Sequence, residues 1–285
     1  MTTNLRNVFQ KRTMFKYLAI GVAICMSCLA AFPVSASEKK AAGHSTQVAK
    51  ASIHGSAKSH SGAPHWEYAG AAGPEHWGDL SPAFSVCGVG IQQSPIDLHR
   101  AIEATAGEIA VDYKLTPIEV INNGHTIQVN VAPGSTIRLD GKTYKLLQFH
   151  FHHPSEHLID GKSFEMEAHF VHISDDGVLA VLGVMIRPGA GNAVLAPIWD
   201  VMPTSKGKRH SSSIISPADL LPADRTFFRY YGSLTTPPCS EKVIWSVFAQ
   251  PLEASSAQGQ KFSSVFSMNA RPVQPLHRRY LLGSR

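Results

Sequence analysis

Cysteine is scarce: four in 285 residues are too few for a chain of this size to be a disulfide scaffold. Glycine and proline, at 22 and 18, are too few for a fibrous or low-complexity protein. No internal repeat is present, which excludes a repeat array, and long amphipathic helical patterns are few. Charged residues make up only 16% of the chain against 44% hydrophobic, a globular balance that excludes disorder throughout. The length suits one large domain or two ordinary ones.

What is abundant is histidine, 15 in all, and positive charge, net +5 with a pI near 9.0. The charge is unevenly placed. Residues 1–36 contribute +4 through Arg6, Lys11, Arg12 and Lys16, and residues 37–64 contribute +3. Residues 65–285 carry 18 basic and 20 acidic side chains, a balance of −2. A nucleic-acid binder needs a cationic face on the folded domain to displace counterions, and only Lys206, Lys208 and Arg209 cluster there. We read that cluster as a solvated loop and expect no nucleic-acid partner.

The N-terminal charges precede an apolar run from Tyr17 to Phe32, followed by Val34-Ser35-Ala36, the three-part layout of a secretory signal peptide cleaved after Ala36. The apolar core of about 16 residues is short of the roughly 20 that span a bilayer, so no membrane association is expected after cleavage. Cys25 and Cys28 leave with the signal. Residues 37–64, rich in Ser, Ala, Lys and His with almost nothing large to bury, read as a disordered spacer in which His44, His54 and His60 are bystanders. At His65 the composition changes, with Trp66, Tyr68 and Trp77 in quick succession, and a domain over 65–285 begins.

Export leaves two cysteines in an oxidising compartment, so Cys87 and Cys239 are expected to pair. In the chain-entropy picture a closed loop of that length, roughly 150 residues, has a stabilisation ceiling near ~5 kcal/mol.

Through the domain short β-branched or alternating runs dominate, at 118–123, 126–131, 136–140, 145–151, 164–173, 178–186 and 243–249. Turn signals such as Asn123-Gly124, Asp140-Gly141 and Asp176-Gly177 bound them. Seven or more strands so closely connected predict a mainly β, α+β fold on an antiparallel or mixed sheet, with short helices near 190–201 and 216–221.

Within 148–157, Gln148, His150 and His152 alternate along a predicted strand and point to one face about 6.6 Å apart, while Phe149 and Phe151 face the other side. Glu167 and His169 share a face of a second predicted strand. If the two strands are neighbours, three imidazoles converge as in a catalytic zinc site with its fourth position open. Gln148 and Glu167, each two residues before a histidine, are suited to orient the ligands. Spacing also permits a cupin-like site in which Glu156 ligates iron or manganese. Spacing alone leaves the two open.

The motifs PEHW at 74–77, QQSPIDL at 92–98, NNGH at 122–125, QFHFH at 148–152, SEH at 155–157, EAHFVH at 167–172, LTTPPCSE at 234–241 and RPVQPL at 271–276 together resemble the α-class carbonic anhydrases, in that family's order. The resemblance spans essentially all of 65–285, and the signal and cysteine pair resemble its exported bacterial members, which implies a periplasmic or secreted protein. It implies a large twisted, mostly antiparallel central sheet with the active site in a conical cleft.

The resemblance further implies Zn2+ held by His150, His152 and His169. Gln148, Glu167 and the Asn269 carbonyl would support these ligands, and His157, beside Glu156, is read as a support of the site. The implied reaction is the reversible hydration of CO2 to bicarbonate and a proton by attack of zinc hydroxide. Thr235, donating its hydroxyl proton to Glu156, would orient the nucleophile. Val171, Val181, Leu234, Thr236, Val243 and Trp245 match the substrate pocket, and Tyr68, Asn123 and Gln128 the water network. His125 matches the proton shuttle, for which an imidazole pKa near 6.5 is suited. His153 reads as a rim residue that strand alternation turns away from the metal. A homodimer is compatible with the sequence.

Overall fold

The computed structural model describes residues 64–105 and 107–284; the expected signal peptide and, but for Pro64, the expected spacer lie outside the described residues. Among the described residues no helix is long and apolar enough to cross a membrane.

The chain folds around a 13-stranded mixed sheet. Its continuous path starts at an edge strand, Gly207–Ile215, and runs through Thr116–Asn122, Ile127–Asn130, Lys142–His152, Met166–Ile173 and Leu179–Pro188. It continues through Glu241–Phe248, Phe227–Ser233 and Leu282–Ser284 to the other edge, Ile102–Ala104. Neighbours pair antiparallel along this path except Leu179–Pro188 with Glu241–Phe248 and Leu282–Ser284 with Ile102–Ala104. All seven expected strand runs appear, with bounds shifted by a few residues. The expected helices reduce to Leu195–Asp200 and a 3-10 turn, Pro217–Leu220.

Two faces of the sheet carry separate apolar cores. The larger includes Phe149, Phe151, Phe170, Trp199, Phe248 and Phe262; the smaller includes Ile96, Val181, Tyr230, Val243 and Trp245. The helix Ser256–Ser263 covers part of the larger core with Phe262, and a capping box between Ser255 and Gln258 starts it.

One irregularity sets which side chains face the functional site. Tyr144 and Leu146 are buried on even positions of the Lys142–His152 strand, but Phe149 and Phe151 are buried on odd ones. A register shift between Leu146 and Gln148 against the Met166–Ile173 strand makes the switch and leaves Leu147 exposed. Beyond it Gln148, His150 and His152 lie on the face opposite the larger core.

The basic cluster requires a correction. Lys208 and Arg209 belong to the Gly207–Ile215 edge strand, paired to Thr116–Asn122, and not to a loop. Charged side chains on an exposed edge oppose further strand addition.

Candidate functional site

The site is a grid on the sheet face that carries the smaller core. Across the ladder His150 stands opposite His169, which stands opposite Gly183, which stands opposite Val247. One row away Gln148, Val171, Val181, Trp245 and Tyr230 align in the same manner, and on the other side His152 faces Glu167. Directly paired residues share a face, so the three imidazoles are brought together by register alone.

Each imidazole has one nitrogen held. His150 Nδ1 is 2.9 Å from Gln148 Oε1, His152 Nδ1 is 2.7 Å from the Asn269 carbonyl, and His169 Nε2 is 2.9 Å from Glu167 Oε1. Acceptors at those positions set the tautomers, leaving Nε2 of His150, Nε2 of His152 and Nδ1 of His169 as lone-pair donors. The three residues offer ligand atoms all within 4.8 Å of one another, and His152 Nε2 is buried with no hydrogen-bond partner. Burial drives the His150 pKa well below 6.5, with the neighbouring His152 and His169 adding to the effect; it lowers His152 to about 4 and lowers His169 against the pull of Glu167. Three neutral, oriented nitrogens with an orphaned donor fit a borderline dication such as zinc. Glu156 is not part of this cluster, which favours the three-histidine set over the mixed one that spacing left open.

Glu167 is anchored from several sides. Its Oε1 also hydrogen-bonds His157 Nδ1 at 2.8 Å, and its Oε2 accepts the amides of Glu156 and His157 at 2.9 Å. Burial alone would raise its pKa, but His157 and His169 hold it well below the usual carboxylate range. His157 in turn reaches the Tyr230 hydroxyl at 2.7 Å, so it supports the ligand carboxylate. Gly183 makes room: a Cβ there would lie 3.0 Å from Glu167 Oε1 and 3.1 Å from Val247. Nothing in the sequence pattern marks that glycine.

Glu156 is buried beside the cluster, its Oε2 3.6 Å from His152 Nε2 and 3.8 Å from His169 Nδ1. Its Oε1 accepts the Arg271 amide at 2.8 Å. Burial pushes its pKa up to about 7, opposed by His169, the Arg271 amide and the hydroxyl of Thr235. A bound dication would favour the ionised form. Thr235 is buried on the loop that follows the Phe227–Ser233 strand. That loop is fastened by the Cys239 amide donating to the Thr236 carbonyl and by the Cys87–Cys239 disulfide. The cysteine pairing expected from composition is therefore present. Arg271, buried and donating to Gln93, Ser94 and Cys87, ties this region together, a role the sequence did not reveal.

The cleft above the cluster, about 150 Å3, is lined by His150, His152, Gln148, His125, Tyr68, Asn123, Gln128 and Thr236 among others. His125 follows a tight turn in which Gly124 has φ of +94° and Asn123 Oδ1 accepts the His125 and Thr126 amides. Its ring stacks on Trp66, centroids 3.8 Å apart and 10° from parallel. Burial lowers its pKa, and the charges of Lys206 and His65 add to this. Lys206 fills the space beside Gly124, so part of the basic cluster borders the cleft. Val181, Val243 and Trp245 are buried in the smaller core with Val171 and Leu234 packed against them, and the Trp245 ring lies 4.8 Å from that of His169. His153 turns aside to hydrogen-bond the Ser267 carbonyl.

A sequence profile of eukaryotic-type carbonic anhydrases matches residues 72–285. A carbonic anhydrase of Nostoc sp. is 49% identical over 225 residues, covering 76% of this chain and 85% of that protein. One from Neisseria gonorrhoeae is 44% identical over 229 residues, covering 80% and 91%. The α-carbonic anhydrase of Thermovibrio ammonificans, solved with the inhibitor sulfanilamide, superposes with a TM-score of 0.76 at 48% identity, covering 78% of this chain and all of that one.

Proposed function

The chain belongs to the eukaryotic-type, α-class carbonic anhydrase family, and from that premise we propose that it catalyses the zinc-dependent, reversible hydration of carbon dioxide to bicarbonate and a proton. The observation that carries this reading is the set of three neutral imidazoles, His152 and His169 buried and His150 half-buried at the cleft, each with its far nitrogen held by a separate acceptor. His150, His152 and His169 would hold the metal. When bound, zinc supplies the Lewis acidity that makes water a nucleophile at neutral pH, an effect for which carbonic anhydrase is the reference case.

The chain's own groups supply the rest. Thr235 Oγ1 donates its single hydrogen bond to Glu156 and can then only accept, which orients the attacking oxygen. Carbon dioxide carries no charge to grip, so Val171, Val181, Leu234, Val243 and Trp245 offer it an apolar wall and exclude water. Thr236 borders that pocket, and the Thr235 amide polarises a substrate oxygen. An imidazole nitrogen of His125 takes the released proton through water ordered by Tyr68, Asn123 and Gln128, then passes it to buffer. The Cys87–Cys239 disulfide supports export to the periplasm or medium.

Stopped-flow measurement of CO2 hydration on zinc-loaded protein tests the proposal. The expected result is hydration far above the buffer rate; activity no higher than buffer would overturn it.

A further inference from the structure

The polar row that contains Gln148 does not stop at the Lys142–His152 strand. Across the ladder Gln148 stands opposite Asn130, Asn130 opposite Glu119, and Glu119 opposite His210 on the edge strand. In the neighbouring row His150 stands opposite Gln128. Ile127 and Val129 alternate with these residues and are buried in the larger core, so Gln128 and Asn130 lie on the face that carries the histidines.

Hydrogen bonds link this row to the cleft. Gln128 Nε2 donates to Asn130 Oδ1 at 2.7 Å, and Asn130 Nδ2 donates to Glu119 Oε1. The same Oε1 accepts from Lys208 Nζ at 3.0 Å, and Oε2 lies 3.5 Å from His210 Nδ1. The hydrogen bonds from Lys208 and Asn130 hold the Glu119 carboxyl below the usual carboxylate range, so it is ionised at neutral pH.

An ionised carboxylate carries no hydrogen and can only accept, which fixes the direction of the whole chain. Asn130 must turn its NH2 to Glu119 and its oxygen to Gln128. Gln128 must then turn its NH2 to Asn130, and its Oε1 is what remains for the cleft that it lines. Without the carboxylate both amides could reverse together, because the two ends of an amide have nearly the same shape, and an NH2 would face the cleft. The two arrangements differ for a water beside Gln128. An acceptor takes one hydrogen of that water and leaves both lone pairs open to an incoming proton, whereas a donor fills one of them.

We propose that Glu119 is a positioning residue for proton transfer: acting through Asn130, it holds the Gln128 amide with its oxygen toward the cleft, beside the water path to His125. Resting on the hydration reaction proposed above, this role concerns the transfer of the proton and not the attack on CO2, since Asn130 and Gln128 stand between Glu119 and the cleft.

Glu119→Gln replaces the acceptor-only end of the chain with an amide that can donate or accept. In zinc-loaded protein at low buffer concentration kcat should fall about two- to tenfold, the worth of one hydrogen bond, with kcat/KM and zinc content unchanged. Placed in Gln128→Leu, the same substitution should have no further effect on kcat. Independently of turnover, NMR of isotope-labelled protein should show the Gln128 side-chain NH2 protected from exchange with water in wild type and unprotected in Glu119→Gln. An unchanged kcat, a fall in kcat/KM of the same size, or an equal loss of kcat in the Gln128→Leu background overturns the proposal. So does a Gln128 NH2 that exchanges alike in both proteins. A wild-type protein with the protected NH2 but no CO2 hydration would overturn the function proposed above while supporting the orientation of Gln128.

Discussion

Gly183 stands across the ladder from His169, and a Cβ on it would meet Glu167 Oε1 at 3.0 Å. The carboxylate that orients one imidazole is therefore accommodated by a missing side chain on the neighbouring strand. Gly183→Ala should push Glu167 away from His169 Nε2 while leaving all three ligands in the chain. Supports of this kind are worth about 10- to 100-fold in metal affinity. A chelator competition assay should show zinc held at least about tenfold more weakly, and because the added methyl overpacks a buried position, the metal-free protein should also lose about 1 to 3 kcal/mol of stability.

Glu156 separates two functions that lie within 4 Å of each other. If it accepts the Thr235 hydroxyl's hydrogen bond and does not ligate, Glu156→Gln should keep one zinc per chain and lose kcat/KM by a factor on the order of 100. Metal analysis and stopped-flow rates on the same sample check both halves. Loss of the metal would restore the mixed-ligand reading that spacing alone permitted.

The histidine grid was legible because its alternation is strict: Gln148, His150 and His152 against Phe149 and Phe151. Strand pairing and its register were not, since they depend on residues far apart in sequence. The Gly207–Ile215 strand escaped notice for a physical reason. All but two of its residues are exposed, so no apolar period exists to be read and its basic residues resemble a loop. Phe227–Ser233 is aromatic on both faces and shows no alternation either. The Ser256–Ser263 helix did leave a signal, Ser255-x-x-Gln258 ahead of it, that a search for apolar periodicity passes over. Gly183 and Arg271 act through close approach and buried hydrogen bonds, which no local pattern records.

His125 lies against Trp66 on the wall of the cleft and away from the ligand cluster, so its loss should spare the site itself. His125→Ala is expected to lower kcat by roughly tenfold or more at low buffer concentration, with kcat/KM nearly unchanged. Imidazole added to the assay should restore the rate. A fall in kcat/KM that imidazole does not rescue would indicate a structural role.

His172 offers a test of stability against pH outside the metal cluster. It is fully buried between the Tyr113 hydroxyl, 2.7 Å from Nε2, and the Ala180 carbonyl, 3.1 Å from Nδ1. Burial lowers its pKa from 6.5 to about 3, with the hydrogen bonds to the backbone of Ala180 and Phe170 opposing. Between these values the unfolded chain binds a proton that the folded chain refuses. The group's contribution is therefore fully present above pH 6.5 and is lost as pH falls toward about 3. Each such histidine adds a slope of about 1.4 kcal/mol per pH unit. His172→Gln, which can keep both hydrogen bonds but does not titrate, should remove about that much of the slope when urea unfolding is measured from pH 6.5 down to 4.5. An unchanged slope would mean that His172 takes up its proton without unfolding.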